Sequence, residues 1–280
     1  MAALGGFSVE ATRPSNDELA ELSGILAPGT PVYLSRVPTE TSAEQAGAAA
    51  LVRAAGFEPV PHVAARRLLS ASELADFLAR IRGEADVRRL LIIAGDSDIA
   101  GPFPDALSVI ERGRLGEAGI AEIGIAGHPE GHPRIEEATL QVAMARKLVV
   151  ARDAGLQAHV VSQFSFNPDR IVAWLRQLRA DGIEAPVKVG MAGPTRLPAL
   201  LRYAMRCGVK ASVQGLVSGA ATALVGHVGP DRILDALAAA PDAVGDIAAH
   251  FFSFGGLADT ANYAARVARQ PRQRAIKLVN

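Results

Sequence analysis

The stretch GHPEGHP, Gly127 to Pro133, sets His128 and His132 four residues apart with Glu130 between them. Two imidazoles at that spacing ligate zinc when a helix brings both to one face. Here Pro129 and Pro133 each follow a histidine, and a residue before proline avoids the α region. The stretch reads as a proline-braced turn, no third ligand stands at a recognisable spacing, and no metal is expected. A helix expected to begin near Arg134 points its N–H groups and positive end at this turn, a favourable place for phosphate. Neither G-x-G-x-x-G nor G-x-x-x-x-G-K occurs in a strand-to-helix turn, so any dinucleotide is held without those loops.

Three further residues close apolar runs: Glu10 after GFSV, Asp96 after LLIIAG and Gln163 after AHVVS. Two carboxyls and a carboxamide converging on one mouth suit proton transfer and polar ligand recognition. Each also has a plainer use. Glu10 can close a salt bridge, Asp96 can cap a turn, and His128 and His132 can simply pack their loop. His159, inside a run, reads as a satisfied core histidine, and His227 and His250 receive no role. Arg13, Arg36, Arg66 and Arg67 gather near the same ends, as a solvated rim or as partners for ligand carboxylates or phosphates.

These residues converge only if the runs are strands of one sheet. Short β-rich runs lie at 6–10, 31–35, 58–63, 90–94, 122–127, 158–163, 186–190 and 250–254. Between them fall helix-periodic stretches such as SAEQAGAAALVRAAG and SASELADFLARIRGEA, which open on serine with an acidic residue following. Gly56 is the stop of the first. Alternation of β and α with apolar strands implies a parallel sheet covered by helices. Eight such units fit an α/β fold of the closed (β/α)8 TIM-barrel type, with one domain over residues 1–280 and the chemistry at the carboxyl ends of the strands. Extra helical material is expected between Val209 and Asp246.

Composition narrows the partners. Lys plus Arg equals Asp plus Glu at 29 each in 280 residues, so no global charge points to nucleic acid or a membrane surface. A single cysteine, Cys207, suits a reducing compartment. No signal peptide and no long apolar span is read, and the expected setting is cytoplasmic. Ala-rich helix faces leave room for a homo-oligomer.

The strand ends together resemble the methylenetetrahydrofolate reductase family. FSVEATRP is similar to that family's first-strand F-E-F-F-P-P, EPVPHVAAR to its P-H-L-T turn and LIIAGD to its L-R-G-D. GHPEGHP is similar to Y-P-E-x-H-P, VSQFSFNPDRI to T-Q-x-x-F-D, and HFFSFGGLADTANYA to the closing F-H-F-Y-T-L-N. Their order and spacing hold across almost the whole chain. The resemblance implies a (β/α)8 barrel holding FAD, which passes hydride between NADH or NADPH and the tetrahydrofolate one-carbon unit. It implies that Glu10 is the general acid that opens the ring of 5,10-methylenetetrahydrofolate. Asp96 contacts the pterin near the flavin, Gln163 hydrogen-bonds the pterin and Tyr203 falls near an aromatic over the substrate. His62, Gly95, Asp96, His128, His132 and Lys147 fall to the cofactor.

The departures concentrate on the flavin side. Ala94 stands for the arginine of R-G-D, His128 for the tyrosine of Y-P-E, RVPTET for T-Y-G, and ATRP for the aromatic F-F-P-P. A longer segment from Pro133 to Asp153 leaves Lys147 out of register. Direct hydride transfer from the nicotinamide, an oxidative role consuming 5-methyltetrahydrofolate, a pterin-dependent methyltransferase and a non-catalytic folate or flavin binder stay open. At this length no regulatory domain is expected, and hence no inhibition by adenosylmethionine.

Overall fold

Apolar runs bounded by turn residues pair side by side into eight parallel strands, and the last pairs with the first. In the computed structural model, which describes residues 6–98, 101–206, 227–240 and 244–269, these are β1 (Phe7–Ala11), β2 (Pro31–Leu34), β3 (Glu58–Ala64), β4 (Arg89–Ile93), β5 (Glu122–Gly127), β6 (Gln157–Ser162), β7 (Val187–Ala192) and β10 (Ile247–Phe252). Val9 pairs with Val32 on one side and Ser8 with His250 on the other, so the sheet closes into a barrel. A short antiparallel pair, β8 (Thr195–Arg196) and β9 (His227–Val228), stands outside it.

The helices that cover the barrel begin where side chains satisfy their first N–H groups. Ser15 and Glu18 close a capping box on α1 (Asn16–Ser23), and Thr41 and Glu44 do the same for α2 (Ser42–Ala54). Ser70 caps α3 (Ala71–Ala85), Asp105 caps α4 (Ala106–Arg112), and Asn167 caps α6 (Pro168–Ala180). Gly56, at φ +88, ends the turn after α2 as its sequence position suggests. The ring is completed by α5 (Glu137–Asp153), α7 (Leu197–Arg206), α8 (Asp231–Ala239) and α9 (Leu257–Arg269). Much of the expected material after Val209 lies outside the described residues; α8 is the part that is described. Among the described residues no helix is long and apolar enough to cross a membrane.

Two expectations shift. The helix after the histidine turn starts at Glu137, not near Arg134, because His132 and Ile135 bridge across the intervening residues. Its first N–H groups are therefore carried further from the turn. The last strand runs Ile247–Phe252 rather than 250–254, because the chain turns at Ser253: Phe254 N–H donates to the Phe252 carbonyl. His250 thereby moves from the start of a strand to its middle.

Strand alternation divides the side chains between two layers. Val9, Val32, Val63, Ile92, Ile125, Val160, Val189 and Phe251 face outward into the main core beneath the helices. Inside the barrel, Tyr33, Val60, Leu91 and Val161 form a small apolar cluster. The remaining inward positions include Ser8, Glu10, His62, Glu122, His159, Lys188 and His250, an unusually polar filling for a barrel of this type. Gly190 lets the wall close, since a Cβ there would meet the Ser162 carbonyl at 2.2 Å.

Candidate active site at the carboxyl ends of the strands

On β1, alternation turns Glu10 inward one position above Ser8. Its Oε2 lies 3.5 Å from His62 Nε2 on β3 and 3.4 Å from His250 Nε2 on β10. Ser8 Oγ stands 2.9 Å from the other ring nitrogen of His250, and Ser253 donates to the Glu10 carbonyl, fixing the backbone. Burial raises the Glu10 carboxyl above its usual range, partly opposed by His62. Burial also lowers both imidazoles, His250 to about 3. Desolvation disfavours every charged form here, so the arrangement favours a protonated carboxyl and two neutral rings. A carboxylic acid kept protonated near neutral pH can act as a general acid.

An aromatic wall rises beside it. The Phe252 ring meets His250 edge-on at 4.9 Å, and Phe164 packs against Phe166, Phe252 and Phe254. Tyr203 on α7 is stacked on Phe254, with centroids 4.2 Å apart and planes 14° from parallel. Gln163 sits just past β6, its backbone N–H on the Gly127 carbonyl and its Oε1 accepting from Phe164 N–H at 3.0 Å. That bond orients the carboxamide and leaves its NH2 group as the donor.

The residues expected at the cofactor lie along β3, β4, β5 and α5. His62 faces Glu10. Gly95, at φ +84, lets the end of β4 pass Ala64, whose Cβ would lie 3.2 Å from one placed there. Asp96 is 70 % exposed at its side chain and is held by Arg67. The rings of His128 and His132 meet edge-on at 5.3 Å, with His128 lowered to about 4 by burial first, then by His132 and Lys147. His132 Nδ1 accepts from Arg134 N–H. Lys147 is half-buried on α5 and lowered by burial, with Asp105 opposing. Among the described residues no group of three or more His, Cys, Asp or Glu is placed to hold a metal ion.

The arginines are more committed than a free rim. Arg66 donates to the carbonyls of Ser97, Asp98 and Pro104, bracing the loop after β4. Arg36, 5 % exposed at its side chain, reaches Ser42 and Glu73, and Arg13 reaches Thr39 and Glu40. His159 is buried in the core as expected, its Nε2 2.8 Å from the Tyr33 hydroxyl; its Nδ1 lies 2.8 Å from Glu122 but outside hydrogen-bond geometry. His250 is the residue that sequence reasoning passed over. The alternation of Ser8 with Glu10 and of His250 with Phe252 was its signal, but only barrel closure sets the two strands side by side.

A family model described as methylenetetrahydrofolate reductase matches residues 35–214. The chain is 23% identical over 155 residues to a 5,10-methylenetetrahydrofolate reductase of Pectobacterium carotovorum subsp. carotovorum, covering 55% of this chain and 50% of that protein. It is 32% identical over 82 residues to Methylenetetrahydrofolate reductase 2 of Saccharomyces cerevisiae, covering 29% of this chain and 13% of that one. The matches thus span half or less of these curated relatives. A GH18 chitinase from Pseudoalteromonas aurantia shares the fold alone, at TM-score 0.52 and 12% identity over 93% of this chain and 98% of that one.

Proposed function

The chain belongs to the methylenetetrahydrofolate reductase family, and from that premise we propose that it interconverts 5,10-methylene- and 5-methyltetrahydrofolate, with NADH or NADPH as the hydride partner and Glu10 as the general acid. The observation that carries the reading is the buried Glu10 carboxyl between His62 and His250 at the strand ends. A reductase of this kind must protonate N10 of the folate, so that the C–N bond to the one-carbon unit breaks and leaves a 5-iminium cation. Hydride added to that carbon gives the 5-methyl product. In reverse, the Glu10 carboxylate takes the proton back as N10 closes on the oxidised carbon.

The other residues bind and orient. Gln163 offers its NH2 group to a pterin carbonyl or ring nitrogen, while its oxygen stays on Phe164 N–H. Tyr203 and Phe254 present a stacked face to the aryl part of the folate. Asp96 lies at the end of β4 on the opposite rim, where Arg67 positions its carboxylate for the pterin amine groups.

FAD fits the β3–β5 side on one observation: His62 Nε2 is buried without a hydrogen-bond partner, its approach to Glu10 being too long for one. His62, the Gly95 backbone, Asp96, His128, His132 and Lys147 would hold the flavin there. When bound, FAD supplies a two-electron carrier between nicotinamide and the one-carbon unit. We place the protein in the cytoplasm, in keeping with its lone Cys207.

The test is anaerobic nicotinamide oxidation with 5,10-methylenetetrahydrofolate, alongside the visible spectrum on adding 5-methyltetrahydrofolate. Turnover with a flavin band that bleaches supports the full reading. Turnover without flavin, even after incubation with FAD, moves hydride transfer directly to the nicotinamide. No turnover with either nicotinamide would sink the reductase reading.

A further inference from the structure

The polar filling of the barrel continues from Glu10 to the opposite end. His250 is fully buried and rests on Ser8. The Tyr33 ring meets the His250 ring edge-on with centroids 4.7 Å apart, and its hydroxyl is 2.8 Å from His159 Nε2. His159 Nδ1 is 2.8 Å from Glu122, which Arg89 also holds at 2.7 Å. The Lys188 ammonium lies 5.8 Å from the centre of the Tyr33 ring. Glu122, His159 and Lys188 then line a cavity of about 430 Å³ whose rim includes Gln157, Pro186 and Asp246. These are residues at the amino ends of β5, β6, β7 and β10, and Gln157, Pro186 and Asp246 are exposed. The cavity therefore opens on the face away from the mouth.

We propose that this column is a proton path, which returns a proton from solvent at the amino-terminal face to Glu10 while folate covers the mouth. The inference rests on the reductase reading of the site. Each reductive turnover takes one proton from the Glu10 carboxyl to the substrate nitrogen. The carboxylate regains it from His250 Nε2, as His250 Nδ1 takes the Ser8 hydroxyl proton. The path requires one water between Ser8 and Tyr33 to recharge Ser8 from the Tyr33 hydroxyl; Tyr33 in turn takes the Nε2 proton of His159 as His159 Nδ1 takes one from solvent by way of Glu122. Tautomer exchange resets both rings, so no net charge stays inside. Neutral imidazoles suit this role; burial above all keeps His159 and His250 neutral, and the Lys188 charge adds to it. Ser8, Tyr33 and His159 are positioning residues; none touches substrate.

Infrared spectroscopy of the Glu10 carboxylic acid band after mixing into D2O tests this, with the band assigned by its loss in Glu10→Gln. Folic acid serves as the non-reactive probe that fills the mouth. In the wild type, saturating folic acid should leave the exchange rate within about twofold. With folic acid bound, Tyr33→Phe should slow exchange at least tenfold without weakening folic acid binding. Gln157→Trp, a surface change over the cavity, should slow it too and serves if Tyr33→Phe does not fold. Exchange blocked by folic acid in the wild type, or exchange at the wild-type rate in the variants, overturns the path. Failure of folic acid to bind, together with absent reductase turnover, instead overturns the reading of the mouth.

Discussion

Glu10 and His250 occupy neighbouring strands across the closure of the barrel, offset so that Ser8 pairs with His250 while Glu10 pairs with Phe252. The offset brings Glu10 Oε2 to 3.4 Å from His250 Nε2 and places Ser8 on the far side of the same ring. Among the described residues, the carboxyl meets no fixed cation that would ionise it. Burial dominates the opposing pull of His62.

Replacing that carboxyl with an amide removes the proton and little else. Glu10→Gln should lower reductase turnover by about 10²–10⁴-fold, while folate affinity stays within a few-fold. Rapid-mixing kinetics and a binding titration check both. Full turnover in the variant would mean the acid is another group.

The protonation state also sets a pH signature. With Glu10 as the proposed general acid, reduction requires it protonated, so turnover should fall as pH rises through the raised value of that carboxyl. Oxidation of 5-methyltetrahydrofolate needs the carboxylate and should rise through the same midpoint, above the ordinary 4.5. Profiles in both directions, compared with Glu10→Asp, test the shared midpoint. Two limbs that move independently would separate Glu10 from the proton step.

Tyr203 is 37% exposed and keeps its ring parallel to Phe254 at 4.2 Å. Aromatic pairs contribute about 0.5–1.5 kcal/mol beyond burial, so Tyr203→Ala should raise the KM for folate roughly two- to tenfold, with kcat nearly constant. Tyr203→Phe should restore it. An unchanged KM in the alanine variant would leave Tyr203 as a helix-face residue only.

Acid should unfold the protein through its buried histidines. The folded pKa of His250 is about 3 and that of His128 about 4, both below the ordinary 6.5. The unfolded chain therefore binds protons that the fold refuses. Their stabilising effect is complete above the ordinary value and is lost as pH falls toward 4 and then 3. At pH 5 this amounts to about 2 kcal/mol per histidine. Glu122, lowered to about 2 mainly by the neighbouring His159, adds a further loss between 4.5 and 2. Urea midpoints at several pH values from 7.5 to 5 should decline, more gently in His250→Asn if that variant folds. A constant midpoint would show that these rings charge in place.

Much of the architecture was legible in the sequence because its causes are local. Ser42 and Ser70, each followed by an acidic residue, announce helix starts, Ser42 as the first residue of α2 and Ser70 as the cap of α3, and the turn at Gly56 stops one. Glu122–Gly127 matches the expected strand residue for residue. The closing strand was misplaced because HFFSF has the same apolar character on either side of Ser253; only the turn after Phe252 decides. The start of α5 was misplaced because the bridge between His132 and Ile135 outweighs the helical pattern after Pro133.

By itself the sequence determined the alternation of strands and helices, the placing of Glu10 at a strand end, and the motifs by which the chain resembles its family. Those follow from period, caps and side-chain type, which act over a few residues. Only the tertiary structure decided that His250 reaches Glu10, that Arg66 is consumed by the β4 loop, and that Tyr33 and His159 extend the polar interior to the far face. Each joins residues at least 31 positions apart in the chain. Barrel closure and burial, rather than local pattern, fix both their distance and their protonation.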